Sequence, residues 1–496
     1  MADVLLTHSY HLYYDPKQVR KMQPYPPLGT LYAAAVLRER SVSVAVFDTM
    51  LLDPSAGFPE ALREHRPAIV VIYEDDFNFL SKMCLLRMRE VAFEMIREAV
   101  KIGATVIVHG SDASDQALLY LQAGARYVMH GESELRLGEL VSALLLGKPV
   151  PELTGLSYFD ERGRVIHRPA KSEWAQWTAI PAPARDLIDL DLYRRAWKSA
   201  HGFFSVNAVA SRGCPYRCNW CAKPISGDRF HVRSAALVAQ ELCELKNRFG
   251  AEHVWFGDDV FALDHRWARE LAEEMERRGE RVPFKIQSRA DLMTRETVDS
   301  LRRAGCAEVW LGAESGSQKV LDAMDKGLKV EKVAEARRTL ANFGIRACYF
   351  LQFGYPGERW PEIQQTIDLV RETRPDDIGV SVSYPLPNTR FYERVQHQLG
   401  AKRNWQDSDD LCATFTAAYK SEFYHALRDA LHAEVDAWRG MKPEARARIA
   451  GLWSRVAEME LTSRNARPTE LQPLSALKRG AQLLQIPGLS AGAREA

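Results

Sequence analysis

What this 496-residue sequence has little of already bounds it. Eight cysteines are too few for a disulfide scaffold, and five of them, Cys84, Cys243, Cys306, Cys348 and Cys412, stand singly among apolar neighbours, as buried thiols do. Hydrophobic runs are short. Ala68 to Tyr73 and Thr105 to Val108 fall well below the roughly 18 to 20 residues that a membrane-spanning helix needs. Net charge is nearly absent: 66 Lys and Arg against 65 Asp and Glu leave no global field to draw the chain onto a nucleic-acid backbone. The basic pairs Arg277-Arg278, Arg337-Arg338 and Lys478-Arg479 lack interleaved aromatics and read as solvated faces, so no nucleic-acid partner is expected. An acid stands at Asp3 where a secretory leader carries basic residues, which points to a cytoplasmic protein. What is present, 46% hydrophobic and 26% charged residues, is the composition of a folded chain, and the length calls for several cores.

Residues 1–150 alternate short β-rich runs with helical patterns, the signature of βα units around a parallel sheet. The strands are expected at Asp3 to His8, Ser43 to Asp48, Ala68 to Tyr73, Thr105 to His109 and Tyr127 to His130. The helices between them are expected at Leu28 to Arg40, Pro59 to His65, Phe79 to Ile102, Asp112 to Ala123 and Ser133 to Leu146. An open doubly wound sheet of this kind binds ligands beyond the carboxyl ends of its strands. Residues 151–200 read as a proline-bearing linker with a small hairpin around Gly155 to Phe159 and Val165 to Arg168. Six further strands separated by helices occupy 201–398 and predict a partial (β/α)6 barrel with its chemistry at the C-terminal strand ends. A helical region is expected over 399–463, followed by a mobile tail over 464–496. Within that tail, Leu474 to Ile486 is weakly amphipathic and reads as a packing helix or disordered tail rather than a membrane-surface segment.

Cys214, Cys218 and Cys221 lie within eight residues, in Ser211-Arg-Gly-Cys-Pro-Tyr-Arg-Cys-Asn-Trp-Cys221, directly after the first barrel strand. Zinc sites normally take four protein ligands in two separated pairs, and no second pair stands at that spacing. Three thiolates suit a cubane iron-sulfur cluster with one iron left open to an exogenous ligand. The competing reading is a non-catalytic zinc loop or structural cluster.

This triplet resembles the defining motif of the radical S-adenosylmethionine (SAM) superfamily. The likeness continues through Val254-Trp-Phe-Gly-Asp-Asp-Val-Phe261, Gly312-Ala-Glu-Ser-Gly-Ser-Gln-Lys-Val-Leu321, Phe353-Gly-Tyr-Pro-Gly-Glu358 and Tyr384-Pro-Leu-Pro-Asn-Thr-Arg-Phe-Tyr392. The resemblance implies a [4Fe–4S] cluster on the three cysteines, SAM on the open iron, and reductive cleavage of SAM to a 5′-deoxyadenosyl radical. It also implies an electron donor such as flavodoxin or ferredoxin. SAM's groups call for nearby acids, a cation and close backbone approach. Asp258 or Asp259 would take the ammonium, Glu314 and Ser315 the ribose or carboxylate, and Arg289 the carboxylate, with Gly354 and Gly357 against adenine.

A doubly wound domain ahead of such a barrel is similar to the superfamily's cobalamin-dependent class, which includes anaerobic Mg-protoporphyrin monomethyl ester cyclases and radical methyltransferases. Pro26-Pro-Leu-Gly-Thr-Leu-Tyr-Ala-Ala-Ala-Val-Leu-Arg38, Val106-Ile-Val-His-Gly-Ser-Asp-Ala-Ser114 and Val128-Met-His-Gly-Glu-Ser-Glu134 carry that likeness, with Gly110, Ser111 and Gly131 as cobalamin contacts. The D-x-H-x-x-G loop that supplies a cobalt-ligating histidine elsewhere is missing. The strand-end histidines His8, His109 and His130 read as hydrogen-bonded structure. Tyr73-Glu-Asp-Asp-Phe-Asn-Phe79 is either a contact for the cobalamin fringe or the substrate, or a solvated acidic turn. The implied reaction is methyl transfer to an unactivated carbon of a small molecule, with radical cyclisation or rearrangement as the alternative. Trp405, Phe415, Tyr419, Phe423 and Tyr424 would line an apolar pocket for a lipid, tetrapyrrole or natural product, or else form a helical core.

Overall fold

The computed structural model describes residues 2–53, 57–77, 85–170, 180–223, 225–438 and 443–470. Its first sheet is seven-stranded: β1 (Val4–Thr7), β2 (Val44–Phe47), β3 (Ile69–Tyr73), β4 (Thr105–His109), β5 (Tyr127–Met129), β6 (Leu156–Phe159) and β7 (Val165–Arg168), in the order β2-β1-β3-β4-β5-β6-β7. β1 to β5 pair in parallel, and their order reverses direction between β1 and β3. Successive side chains of a strand point to opposite faces, and both faces here are apolar. Leu5, Val70, Ile72, Val106 and Val108 pack with the residues of helices Phe58–His65 and Leu86–Lys101, while Val4, Leu6, Ile69, Val71 and Ile107 pack with those of Leu28–Glu39 and Glu134–Leu145. This two-sided burial is why the strands read as continuous hydrophobic runs.

The structure departs from the sequence-based expectation in three places. The β6–β7 hairpin is not a free linker element: β6 pairs antiparallel with β5 and extends the first sheet. The helix expected over Asp112 to Ala123 is two, Ser111–Asp115 and Ala117–Ala123, broken at Gln116. Its first half, Ser-Asp-Ala-Ser-Asp, is made of residues whose side chains compete for backbone groups, and Asp112 is drawn away to Arg89 and Tyr120. Residues 399–420 hold no helix. Their acids bond back to nearby backbone, Asp407 accepting from Asp409 N–H and Asp410 from Gln406 and Cys412 N–H, which stabilises turns over a helix. Cys84, the start of the helix expected from Phe79, and Leu474 to Ile486 lie outside the described residues.

The second sheet contains β8 (Ser205–Ala208), β11 (His253–Phe256), β12 (Phe284–Ser288), β13 (Cys306–Glu314), β14 (Arg346–Phe353) and β15 (Asp377–Val382), all parallel and in sequential order. A short ribbon of β9 (Ser211–Arg212) and β10 (His231–Val232) follows β8. Helices cover the outer face in one core shared with the C-terminal helix Ser421–Ala437. The result is the expected α/β architecture: a Rossmann-like parallel sheet, a six-stranded half-barrel and a helical C-terminal region. Among the described residues, no helix is long and apolar enough to cross a membrane.

Candidate active site

The carboxyl ends of the two sheets face one another across a cleft. Asp76, Phe77 and Ser111 line it from the ends of β3 and β4, and Ser211 to Gly213, Gly257 and Asp259 line it from the half-barrel. Ala222, Lys223, Ile225 and Ser226, just after the cysteine triplet, complete the wall.

The triplet rides on a loop held from several sides. Lys223 Nζ donates to the carbonyls of Cys214 and Tyr216 at 2.9 and 2.6 Å and pairs with Asp228. Gly213 has φ +76°, and a Cβ there would lie 2.2 Å from the carbonyl oxygen of Arg229, so only glycine admits the chain into the loop. Burial pushes the Cys214 thiol up to about 11 and raises Cys221 further, so without a metal both stay protonated at neutral pH. Among the described residues, no three His, Cys, Asp or Glu side chains converge on a single-ion position. Three cysteines on one loop can each hold one iron of a polynuclear cluster.

Asn219, between the last two cysteines, is a hub that the sequence alone did not single out. Its N–H donates to Met324 O at 3.0 Å, its Nδ2 to Ala323 O and Asp325 at 2.7 and 2.9 Å, and its Oδ1 accepts from Tyr355 at 2.7 Å. Its carbonyl accepts from Phe391 N–H. Backbone and side chain of one buried residue thus tie the loop to the segments after β13, β14 and β15. Asn219→Ala is expected to leave Asp325 and Tyr355 short of partners, cost roughly 2 kcal/mol or more and lower the iron retained per chain; thermal unfolding and iron analysis check it.

The expected SAM contacts divide into those at the cleft and those spent within the fold. Asp259 lines the cleft. Asp258, 1% exposed, instead accepts from Ala210 N–H at 3.0 Å and Ser211 Oγ at 2.5 Å, which aims β9 into the cluster loop. Burial pushes its carboxyl up to about 7. An acid with a raised folded value binds its proton more tightly when folded. Its contribution therefore lowers stability as pH rises from about 4 toward 7. Asp258→Asn is expected to keep the Ala210 bond, retain iron, and flatten that fall by on the order of a few kcal/mol, as urea unfolding at pH 5 and pH 8 would show.

Arg289 grips Asp291 with two bonds of 3.0 and 2.9 Å, donates to the carbonyls of Lys326 and Gly327, and lies 3.8 Å from the ring centre of Tyr216 in the cluster loop. Glu314, at φ +60°, pairs with buried Lys326 at 2.8 Å, and a Cβ on Gly312 would collide with both groups. Ser315 is wholly buried, bonded to Thr366 Oγ1 and accepting from Ser317 N–H. The Gly354 N–H donates to Glu358, and a Cβ there would press on Tyr424 at 3.0 Å; the Gly357 N–H donates to Thr469 O. Trp405, Phe415, Tyr419, Phe423 and Tyr424 belong to the main core, the last two from helix Ser421–Ala437 and the first three from outside any helix.

At the first sheet, Gly110 has φ +147° and presses on Glu74, leaving no room for a Cβ. Among the described residues, Ser111 Oγ is buried without a hydrogen-bond partner at the cleft wall. The Gly131 carbonyl accepts from His109 Nε2 at 2.9 Å and Ser133 Oγ at 2.8 Å. His8 bonds to Asp48, and His130 to Ser157. His109 also stacks on Tyr73 at 4.0 Å. Burial lowers His109 and His130 to about 4, keeping both neutral. The acids after β3 are mostly spent on the fold: Glu74 accepts from Ser9 N–H, and Asp75 from Gly29 N–H at the start of helix Leu28–Glu39.

Comparison with known proteins accounts for this arrangement. Residues 209–370 match the family model of the radical SAM superfamily. Over those residues the half-barrel is a radical SAM domain. It is 26% identical to an uncharacterised methyltransferase of Pyrococcus horikoshii over 77% of this chain and 81% of that one. It is 22% identical to the anaerobic magnesium-protoporphyrin IX monomethyl ester cyclase of Rubrivivax gelatinosus, over 75% of this chain and 66% of the other. Its fold matches the radical S-adenosylmethionine methyltransferase TsrM of Kitasatospora setae, solved with cobalamin and a [4Fe–4S] cluster, with TM-score 0.66 and 21% identity over 81% of this chain and 79% of that one. A radical SAM enzyme implies a [4Fe–4S] cluster and SAM.

Proposed function

We propose that this chain is a cobalamin-dependent radical SAM methyltransferase acting on an unactivated carbon of a small molecule. The observation that carries the reading is the shared cleft: the ligand-binding ends of a doubly wound sheet and of a half-barrel with three loop cysteines open onto one space. When bound, the cluster would supply the electron that splits SAM to a 5′-deoxyadenosyl radical, and cobalamin the methyl group. Cys214, Cys218 and Cys221 would hold the cluster, and Asp259 stands where an ammonium can reach it. Gly110, Ser111 and Gly131 offer small, low-relief ends to β4 and β5, against which a flat macrocycle can lie. Lys326, Arg289 and Asn219 act on the loop rather than on the ligand, fixing the Glu314 carboxylate, the Tyr216 ring and the turns around the cysteines.

The test is anaerobic reconstitution with iron, sulfide and hydroxocobalamin, gel filtration, and metal analysis. About four irons and one cobalt per chain are expected; iron without cobalt removes the cobalamin part of the reading. With reductant and substrate, methylation yields S-adenosylhomocysteine beside 5′-deoxyadenosine and a product heavier by one methylene. Likeness to the Mg-protoporphyrin cyclase favours a second reading, radical cyclisation. It predicts deoxyadenosine without S-adenosylhomocysteine or that mass gain. The electron donor expected is a flavodoxin or ferredoxin.

A further inference from the structure

A second cavity lies on the concave face of the half-barrel, below the strand ends. Its wall is aromatic. Trp310 and Phe350 stack at 4.8 Å and 29°, and Trp255 meets Tyr25 at 4.6 Å. The wall is built for this. A Cβ on Gly379 would lie 3.2 and 3.3 Å from the Phe350 and Trp310 rings, so a glycine in β15 lets both rest against the strand. The Trp310 indole N–H donates to Glu308 at 2.8 Å, which fixes the ring. Phe350 nevertheless keeps 38% of its surface exposed, an unusual state for a phenylalanine in mid-strand.

Two ammonium groups share this cavity. Lys285, half-buried, projects from β12 beside the Tyr25 ring, and Lys21, exposed to solvent, stands at the cavity's rim on the segment after β1 that closes the open side of the half-barrel. Neither has a hydrogen bond or ion pair to any described residue. The surrounding protein and the Lys285 charge hold Lys21 below its usual range, against the pull of Asp377 and Asp15. Glu308, the cross-strand neighbour of Lys285, is taken by Arg346 and the Trp310 indole. Two cations with no ion pair among the described residues, on one aromatic-walled cavity, offer an anion two partners at once.

We propose that this cavity binds the substrate, and that the substrate is a flat, aromatic or polyunsaturated molecule whose carboxylate or phosphate lies between Lys21 and Lys285. This rests on the reading of the cleft as the reaction site. Lys285 lies three residues before the end of β12 at Ser288, on the order of 10 Å below the strand ends at about 3.3 Å per residue. The substrate's anionic group is therefore about that far from the carbon that reacts, and the molecule is elongated.

The test is equilibrium dialysis of the full-length chain with 2-naphthoate against 2-naphthamide, a neutral molecule of nearly the same shape. The carboxylate is expected to bind about tenfold more tightly than the amide. That preference is expected to fall below about twofold in Lys21→Met with Lys285→Met and to be kept in Lys21→Arg with Lys285→Arg, which separates loss of charge from loss of fold. Absent binding, equal binding of the two probes, or a preference surviving in the double methionine variant overturns the proposal. The titration contains no SAM and no reductant, so its failure leaves the radical SAM reading standing, and failure of SAM cleavage leaves the titration unaffected.

Discussion

Replacing any one of Cys214, Cys218 and Cys221 by alanine is expected to abolish cluster retention and to lower SAM cleavage by about a thousandfold or more. The reason is ligand count: with three thiolates for a cluster of four irons, each cysteine would hold one iron, and among the described residues no fourth thiol on the loop stands in reserve. Among the described residues no other cysteine lies on this loop, and Cys306 and Cys348 are buried in their strands. The loop itself is expected to stay folded, because Lys223, Asn219 and Arg289 hold it through groups other than the thiols. Circular dichroism and gel filtration should therefore match the parent while iron, sulfide and the absorbance near 400 nm fall together. Cys243→Ala, on a barrel helix away from the cleft, is the control and is expected to keep all three. A triplet variant that retains iron and cleaves SAM at the parent rate would remove the cluster from this loop.

The sequence made some parts of this molecule legible and left others dark for identifiable physical reasons. Strands such as Ile69 to Ile72 and Val106 to Val108 are uninterrupted β-branched runs because both faces of the sheet are buried, and a run of that kind has few alternatives. The cysteine spacing is equally local, since three ligands on one loop are visible in one stretch of chain. The fate of the polar residues is not local. Ser315 is satisfied by Thr366, fifty-one positions on, Asp258 by Ser211, and Asn219 by carbonyls near position 324; nothing in the residue types announces such partners. The lumen cavity is the extreme case. Lys21 and Lys285 are far apart in sequence and unremarkable singly, and only the closure of the half-barrel by the segment after β1 brings them to one space. Residues 399–420 mislead for the opposite reason: apolar positions at near-helical intervals are overruled by acids that bind their own backbone.

The largest stability effect is expected at the contact between the two sheets. Glu134 begins a helix of the first domain, and Arg212 is in β9, two residues before the first cluster cysteine. Their side chains are 3% and 5% exposed and meet in two bonds of 2.5 and 3.2 Å. The guanidinium also lies 5.0 Å from the Phe77 ring centre. Glu134→Gln removes the charge that Arg212 pairs with in a buried site, which typically costs about 3 to 5 kcal/mol. Glu134→Leu with Arg212→Met, which removes both charges, is expected to recover most of that loss. The pH dependence has a definite sign. Burial alone would raise the Glu134 carboxyl, but the Arg212 charge more than offsets it and holds the group below its usual range. The pair's contribution is therefore complete above the unfolded value of 4.5 and is lost as pH falls through the lower folded value. Urea unfolding at pH 7 and pH 3.5 should show the parent losing more stability on acidification than Glu134→Gln. Because the pair joins the Rossmann-like sheet to the strand that leads into the cysteine loop, the single variant is also expected to split one unfolding transition into two. A single transition with a cost below about 1 kcal/mol would mean that the cleft is held together elsewhere.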